Sequence, residues 1–286
     1  MGAACCGEPR HHELFTLVGP PTAACVLPGQ CVFTADWSKA TLAERVSITH
    51  DTVLLTFLLP DSSKALGLST CACLLARADL QGPDGVAAET VIRPYTPVST
   101  NALIGKFQLT VKAYKAGRMS GHMRDMAVGE ALEFRHIDKN VKIQYPFGRK
   151  HITAIAGGTG ILPILQALHA ILGTPGDATQ VALLFGNRTS GDIIGRGLLE
   201  AWAAGSGGRL KVVNVVSRDD PSWTGRKGHI DRALIEEHSS PLGTDALIMV
   251  CGPPPLYDAL CGPRDQAELT GTLAEMGYKA EQVFKF

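Results

Sequence analysis

The feature that most limits the fold of this 286-residue chain is a change of rhythm at Pro146-Phe147-Gly148-Arg149-Lys150. Before it, short apolar-alternating runs are broken by Gly, Pro and Asp: Val53 to Leu59, Val91 to Tyr95, Phe107 to Tyr114, Ala131 to Phe134 and Val141 to Tyr145. A period of two over such lengths predicts antiparallel strands, interrupted by one modest helix beginning near Ser120. After it, apolar runs at Ile152 to Ala156, Gln180 to Phe185, Leu210 to Val216 and Ala246 to Cys251 alternate with helical patterns. These lie at Ile161 to Leu172, Gly197 to Ala204, Ile230 to His238, from Pro255 onward and from Asp265 to Met276. A small all-β barrel suits the first half and a parallel, doubly wound α/β sheet the second.

Charge excludes one class of partner. Lys+Arg and Asp+Glu number 27 each, so no global field draws the chain to nucleic acid, and any charged-partner site must be a local patch. The eight cysteines form no CxxC pair and no Cys/His cluster, which argues against metal and disulfide frameworks and for a reducing compartment. The longest apolar runs are strand-sized, far short of the about 20 residues that span a bilayer. At the N-terminus, Met1-Gly2-Ala3-Ala4-Cys5-Cys6 reads either as a double lipid anchor, with Gly2 acylated and Cys5 or Cys6 supplying the second chain, or as a plain uncleaved tail.

Two segments of the first half belong together chemically. In Arg93-Pro94-Tyr95-Thr96-Pro97 the proline holds Arg93 extended, so that a cation, an aromatic ring and a hydroxyl line one strand edge. In Gly117-Arg118-Met119-Ser120, Ser120 is placed to cap a helix whose free N–H groups would meet a pyrophosphate. In the second half, Gly157-Gly158-Thr159-Gly160 ends a strand and opens a helix, as a phosphate-cradling turn does, although such turns also arise for purely structural reasons. It is not the GxGxxG fingerprint, since Pro163 replaces the third glycine and the next strand ends in Gly186-Asn187-Arg188 with no ribose-binding acid. Cys251-Gly252-Pro253-Pro254-Pro255 ends a strand at the carboxyl edge, where ligands of open α/β sheets collect. An isolated cysteine there also reads as a small buried residue.

Taken in this order, the four motifs resemble those of the NADH-cytochrome b5 reductase branch of the ferredoxin-NADP reductase superfamily, from about Phe33 to the C-terminus, with Phe134-Arg135-His136-Ile137 through Tyr145-Pro146-Phe147 most like its mitochondrial-type members. The resemblance implies a tail (1–30), an antiparallel six-stranded FAD-binding barrel (31–147) and a doubly wound NAD(P)H-binding domain (148–286). It implies a flavin phosphate on Arg93, the ring and ribityl chain against Pro94 and Tyr95, and Thr96 near the reactive ring nitrogen. Thr110, Lys112 and Tyr114 match further flavin contacts, although strand alternation alone accounts for the last two. Gly117, Arg118, Met119 and Ser120 would hold the pyrophosphate, Gly157 to Gly160 would serve the dinucleotide, and Cys251, Gly252 and Pro253 would pack beside the nicotinamide. Thr96 and Cys251 would stand at the reacting centre. The electron acceptor would be cytochrome b5 or a similar heme protein. A diaphorase with another acceptor, or a scaffold without turnover, would keep the same fold.

Departures sharpen this reading. Leu162 stands where the family has Thr, removing one flavin hydrogen bond, and Leu256 replaces a Met. After the third strand of the nucleotide domain, Ser217-Arg218 replaces the acid of NADH-specific members, with Arg226-Lys227 a short way on. A hydroxyl followed by cations suits a 2′-phosphate, so NADPH is expected to compete with NADH, although Asp219 and Asp220 follow at once. Arg135, His136, Lys139, Lys142, Arg149 and Lys150 make the interdomain stretch basic, either a docking face for an acidic heme protein or a solvated surface. The expected setting is a monomer on the cytosolic face of a membrane, the outer mitochondrial surface being one such membrane, or otherwise in the cytoplasm.

Overall fold

The computed structural model describes residues 14–82, 87–137, 142–239 and 245–286. A short helix, α1 (Leu14–Val18), precedes six strands: β1 (Ser38–Ser47), β2 (Thr52–Leu58), β3 (Leu74–Gln81), β4 (Ala88–Tyr95), β5 (Lys106–Lys112) and, after helix α2 (Arg118–Asp125), β6 (Ala131–Arg135). All neighbours pair antiparallel in the order β4-β3-β6-β1-β2-β5. The sheet curls around Phe33, Phe57, Phe107 and Phe134, whose rings meet at 5.1–5.8 Å. Each of the four is at most 1% exposed, so this aromatic cluster fixes which face of every strand points inward.

The second half follows as β7 (His151–Gly157), α3 (Ile161–Gly173), β8 (Gln180–Asn187), α4 (Arg196–Gly205), β9 (Leu210–Val216), β10 (Arg226–Lys227), α5 (Arg232–His238), β11 (Ala246–Cys251), α6 (Pro254–Leu260), α7 (Gly271–Glu275) and β12 (Val283–Lys285). The strands are parallel in the order β10-β9-β8-β7-β11-β12. Successive residues feed opposite cores: Leu183, Phe185, Leu247 and Met249 join the α3/α4 layer, while Ile155, Leu184, Ile248 and Val250 join the layer of α5 and α6. Burial on both faces explains why these strands read as unbroken apolar runs.

Three expectations need correction. Of the strand expected over Val141 to Tyr145, the described residues 142–145 form none. Val141 lies outside the described residues, and Lys142 to Tyr145 cross irregularly between the sheets, with the Tyr145 hydroxyl donating to Asp177 (2.7 Å). The ladder strands that complete the first sheet are instead β1 and β3. The helix over Asp265 to Met276 shrinks to α7, because Lys285 Nζ donates to the carbonyls of Pro263, Gln266 and Glu268 at 2.8–3.1 Å and a side chain does what helical N–H groups would have done.

Residues 14 to 30, expected as tail, are docked. Leu14 is 1% exposed and packs with Leu198 in the same core. Trp202 Nε1 donates to the Gly19 carbonyl (3.0 Å), the Thr22 N–H to His169 Nδ1 (3.0 Å) and Asn101 Nδ2 to the Ala24 carbonyl (2.9 Å). This strap therefore touches both halves of the molecule.

His169, 3% exposed, accepts from Thr22 only while Nδ1 is unprotonated, and burial lowers its pKa to about 4. The folded state favours neutral imidazole, so its contribution is complete above pH 6.5 and is lost as pH falls from there toward 4. Urea unfolding at pH 7.5 and 4.5 should show His169→Phe losing less stability on acidification than wild type, by roughly 2–3 kcal/mol. Equal losses would remove His169 as the source.

Candidate functional site

The edge strands β4 and β5 do not pair with each other. Helix α2 packs across the gap with Met119 and Met123 buried in the barrel core, and the nucleotide domain faces the seam from outside. Between the two lies a cleft of about 930 Å³. Every site residue expected from the sequence lines it except Arg218.

On the barrel side, Arg93 is exposed and its guanidinium donates only to the Ile92 carbonyl (2.7 Å), leaving most of its fork for an anion. Tyr95 is half-buried, and burial pushes its hydroxyl up to about 12, so the ring stays neutral. The Thr110 hydroxyl is 1% exposed, lines the cleft and has no protein partner. Such an orphan points to a polar group of a bound ligand.

The start of α2 departs from expectation. Gly117, not Ser120, is the N-cap, and no side chain caps it. Ser120 lies in the first turn, donating to the Gly117 carbonyl (3.1 Å) and accepting from Tyr114 N (3.4 Å), and a Cβ on Gly117 would come within 2.3 Å of its hydroxyl. The first N–H groups of the helix therefore remain free for an anion, since Gly121 is the first residue to donate back, to Gly117. The Arg118 side chain turns away, pairing with Glu89 and donating to the Leu80 and Gln81 carbonyls, so only its backbone serves the cleft.

Lys112 is likewise engaged by protein. Its Nζ lies 2.7 Å from Asp192 of the nucleotide domain and 3.0 Å from Asp51. Burial alone would lower its pKa, but the two carboxylates outweigh that and raise it, and the pair with Asp192 joins the two halves. A second tie joins Tyr114 Oη and Thr159 Oγ1 at 3.3 Å.

Across the cleft, the carboxyl ends of β7 and β11 touch backbone to backbone. A Cβ on Gly160 would sit 2.0 Å from the Cys251 carbonyl oxygen, one on Gly157 2.9 Å from Pro253, and one on Gly252 3.2 Å from Gly157 N. These glycines serve close approach, which is what sets Cys251 at the cleft. Burial pushes the Cys251 thiol up to about 11, so it is a neutral, non-nucleophilic packing group at physiological pH. Leu162, 6% exposed, turns its side chain into the core beside the cleft.

Toward the far end, Ser217 lines the cleft with Arg188 and His229, neither singled out from the sequence. Ladder contacts explain the grouping: Ser217 N donates to the Asn187 carbonyl and Arg218 N to that of Arg188, both at 2.9 Å. Both amide atoms of Asn187, 7% exposed, lack protein partners. Their signal was position alone, at the carboxyl edge of a parallel strand. Of the basic interdomain stretch, Lys139 lies outside the described residues, Lys142 lines the cleft, and Arg135 stacks over Trp37 at 4.7 Å, opposite the expectation of a free docking charge.

A planar phosphate fork, free helix-start N–H groups, an aromatic wall and orphaned polar atoms fit FAD on one side and a nicotinamide dinucleotide on the other. A family model described as "Oxidoreductase FAD-binding domain" matches residues 39–148, and one described as "Oxidoreductase NAD-binding domain" matches 154–262. NADH-cytochrome b5 reductase 2 of Scheffersomyces stipitis is 40% identical over 255 residues, covering 88% of this chain and 84% of that protein. Its counterpart in Candida albicans is 38% identical over 256 residues, 88% and 83% of the two chains. Among solved structures, the cytochrome b5 reductase domain of Ulva prolifera nitrate reductase superposes with a TM-score of 0.78 at 31% identity, covering 92% of this chain and all of that one.

Gly160→Ala should cost about 1–3 kcal/mol by overpacking and displace the Cys251 loop, whereas a Cβ on Gly205 meets nothing within 4 Å and Gly205→Ala should leave unfolding unchanged or slightly improved. Thermal unfolding of the two variants checks this. A neutral Gly160→Ala would mean that the loops are not in backbone contact.

Proposed function

The chain belongs to the NADH-cytochrome b5 reductase family, and from that membership we propose that it takes a hydride from reduced nicotinamide and delivers single electrons to cytochrome b5 or a similar heme protein. The observation that carries this reading is the seam, which brings the flavin cradle of one half against the nicotinamide loops of the other. FAD, when bound, supplies the conversion between a two-electron donor and a one-electron acceptor.

The protein's part is position and electrostatics. Arg93 and the α2 N–H groups would hold the phosphates, Tyr95 would wall the ring and ribityl chain, and Thr96 would offer a hydrogen bond at the ring. Thr110 would satisfy its orphaned hydroxyl on the same ligand. Lys112 and Asp192 lock the halves so that the Cys251 loop faces the flavin site at a fixed distance, and the neutral thiol packs without competing chemistry. Lys142 gives an acidic acceptor one cation at the cleft.

The donor is NADH, with NADPH as a serious competitor. Ser217 stands where an acid would repel a 2′-phosphate, and the exposed Arg188 beside it adds a cation. Gly2, Cys5 and Cys6 lie outside the described residues. Acylation there would hold the enzyme on the cytosolic face of a membrane, the outer mitochondrial surface first, and intact mass of the native N-terminus reads this directly. The catalytic unit is a monomer.

Purified protein should be yellow, bleach anaerobically with NADH, and reduce cytochrome b5; colourless protein, or a bleached flavin that cytochrome b5 cannot reoxidise, would contradict the reading. Ser217→Asp should lower kcat/KM for NADPH at least about tenfold by like-charge repulsion and leave NADH within about twofold. A wild type already indifferent to NADPH at millimolar concentration would end the dual-donor part.

A further inference from the structure

Asp220 follows Ser217-Arg218 closely enough that its charge ought to oppose a phosphate there, yet its carboxylate faces the other way. It accepts from Ser190 N (2.7 Å), Ser222 N (3.0 Å) and Ser222 Oγ (2.6 Å), and the Ser190 and Ser222 hydroxyls lie 3.2 Å apart. The hydrogen bonds from Ser222 and Ser190 hold this carboxyl well below the usual carboxylate range, so it stays an acceptor throughout the physiological range. Asp219, by contrast, points into solvent, with only Lys227 at 4.0 Å.

Ser190 opens the single turn Ser190–Asp192, and the other end of that turn is also fixed. Asp192 Oδ2 accepts from Thr189 N (2.9 Å) and Thr189 Oγ1 (2.7 Å), while Oδ1 takes Lys112 of the barrel. The loop after β9 is thus tied through Asp220 to an abutment that the flavin-binding half itself holds in place. Farther along, Trp223 Nε1 donates to the Arg226 carbonyl (2.8 Å), closing the loop on itself.

We propose that Asp220 is a positioning residue for donor selection: by anchoring its loop to the Ser190–Asp192 turn it keeps Ser217 at the end of β9 beside Arg188, where a 2′-phosphate would be received. The inference rests on the dual-donor reading above. It assigns to Asp220 no contact with the nucleotide. The nicotinamide end is held elsewhere, by the loops at Gly157–Gly160 and Cys251, so loss of the anchor acts on discrimination and not on hydride transfer.

The test compares wild type, Asp220→Ala and Asp220→Asn as FAD-loaded full-length enzyme with ferricyanide as acceptor, and measures inhibition against NADH by 2′,5′-ADP and by 5′-ADP. Asp220→Ala should raise KM for NADPH about tenfold with kcat unchanged for both donors, keep KM for NADH within about twofold, and abolish the preference for 2′,5′-ADP over 5′-ADP. Asp220→Asn, which retains an acceptor for Ser222 N–H but not for both serines, should fall between. Wild type that binds both inhibitors alike overturns the dual-donor reading and this inference with it. Wild-type discrimination that survives in Asp220→Ala, or equal KM increases for both donors, overturns the positioning role alone.

Discussion

The barrel sheet does not close, and most of the molecule is arranged around that fact. Two edge strands with unpaired backbone are ordinarily a liability, managed by covering them. Here β4 and β5 are kept apart by α2, whose buried methionines fill the barrel end while its free N–H groups face outward. The residues carried at the seam, Arg93 and Tyr95 on β4 and Thr110 and Lys112 on β5, are therefore held by a rigid aromatic core on one side and open to a ligand on the other. A closed barrel of the same sequence would leave nowhere for them to act.

An open seam fixes position only if the second half is fixed against it. Side-chain ties across the cleft do this, and backbone contact inside the second half sets what that half presents. Lys112 with Asp192, and Tyr114 with Thr159, tie side chains across the cleft, and Asp51 holds Lys112 from the barrel side. The glycines at 157, 160 and 252 let two loops of the nucleotide domain touch through backbone, which places Cys251 without help from a long side chain. Backbone contact at van der Waals distance tolerates far less drift than a flexible ion pair, so the glycines fix where Cys251 sits within the nucleotide domain while the ion pair joins the halves.

Much of this was legible in the sequence where a residue's local pattern and its tertiary role agree. The β7, β8, β9 and β11 runs, the helix after Gly160 and the cleft-lining motifs fall in that class. Legibility failed where tertiary contacts overrode local signals. β1 carries a register shift between Leu42 and Glu44 that breaks its alternation, and β3 spends two inward positions on Ala76 and Ala78, so neither announces itself as apolar period two. Ser120 looks like a cap but lies within the first turn of its helix, because Gly117 can approach where a larger residue cannot. Val141 to Tyr145 has a strand's composition, yet its described residues, 142–145, pair with no strand. Lys112 reads as a ligand contact and is an interdomain bridge, since nothing in its own segment reveals Asp192 eighty positions later.

The domain boundary is a change of topology and not the edge of a core. The sequence changes character at Pro146 to Lys150, but the largest apolar core does not respect that point: Ile48, Leu54, Cys71 and Val98 from the barrel half pack with α3 residues such as Ile161, Leu162 and Ile164. The strap from Leu14 to Ala24 crosses the same junction through His169, Trp202 and Asn101. Separating the halves would expose this shared core and strip Asp192 of its Lys112 partner, a combination costing more than a polar domain interface does. The two halves are thus distinct in topology but coupled in energy. That coupling is what lets a loop at the far end of one half be anchored, through Asp220 and the Ser190–Asp192 turn, to a lysine on the other.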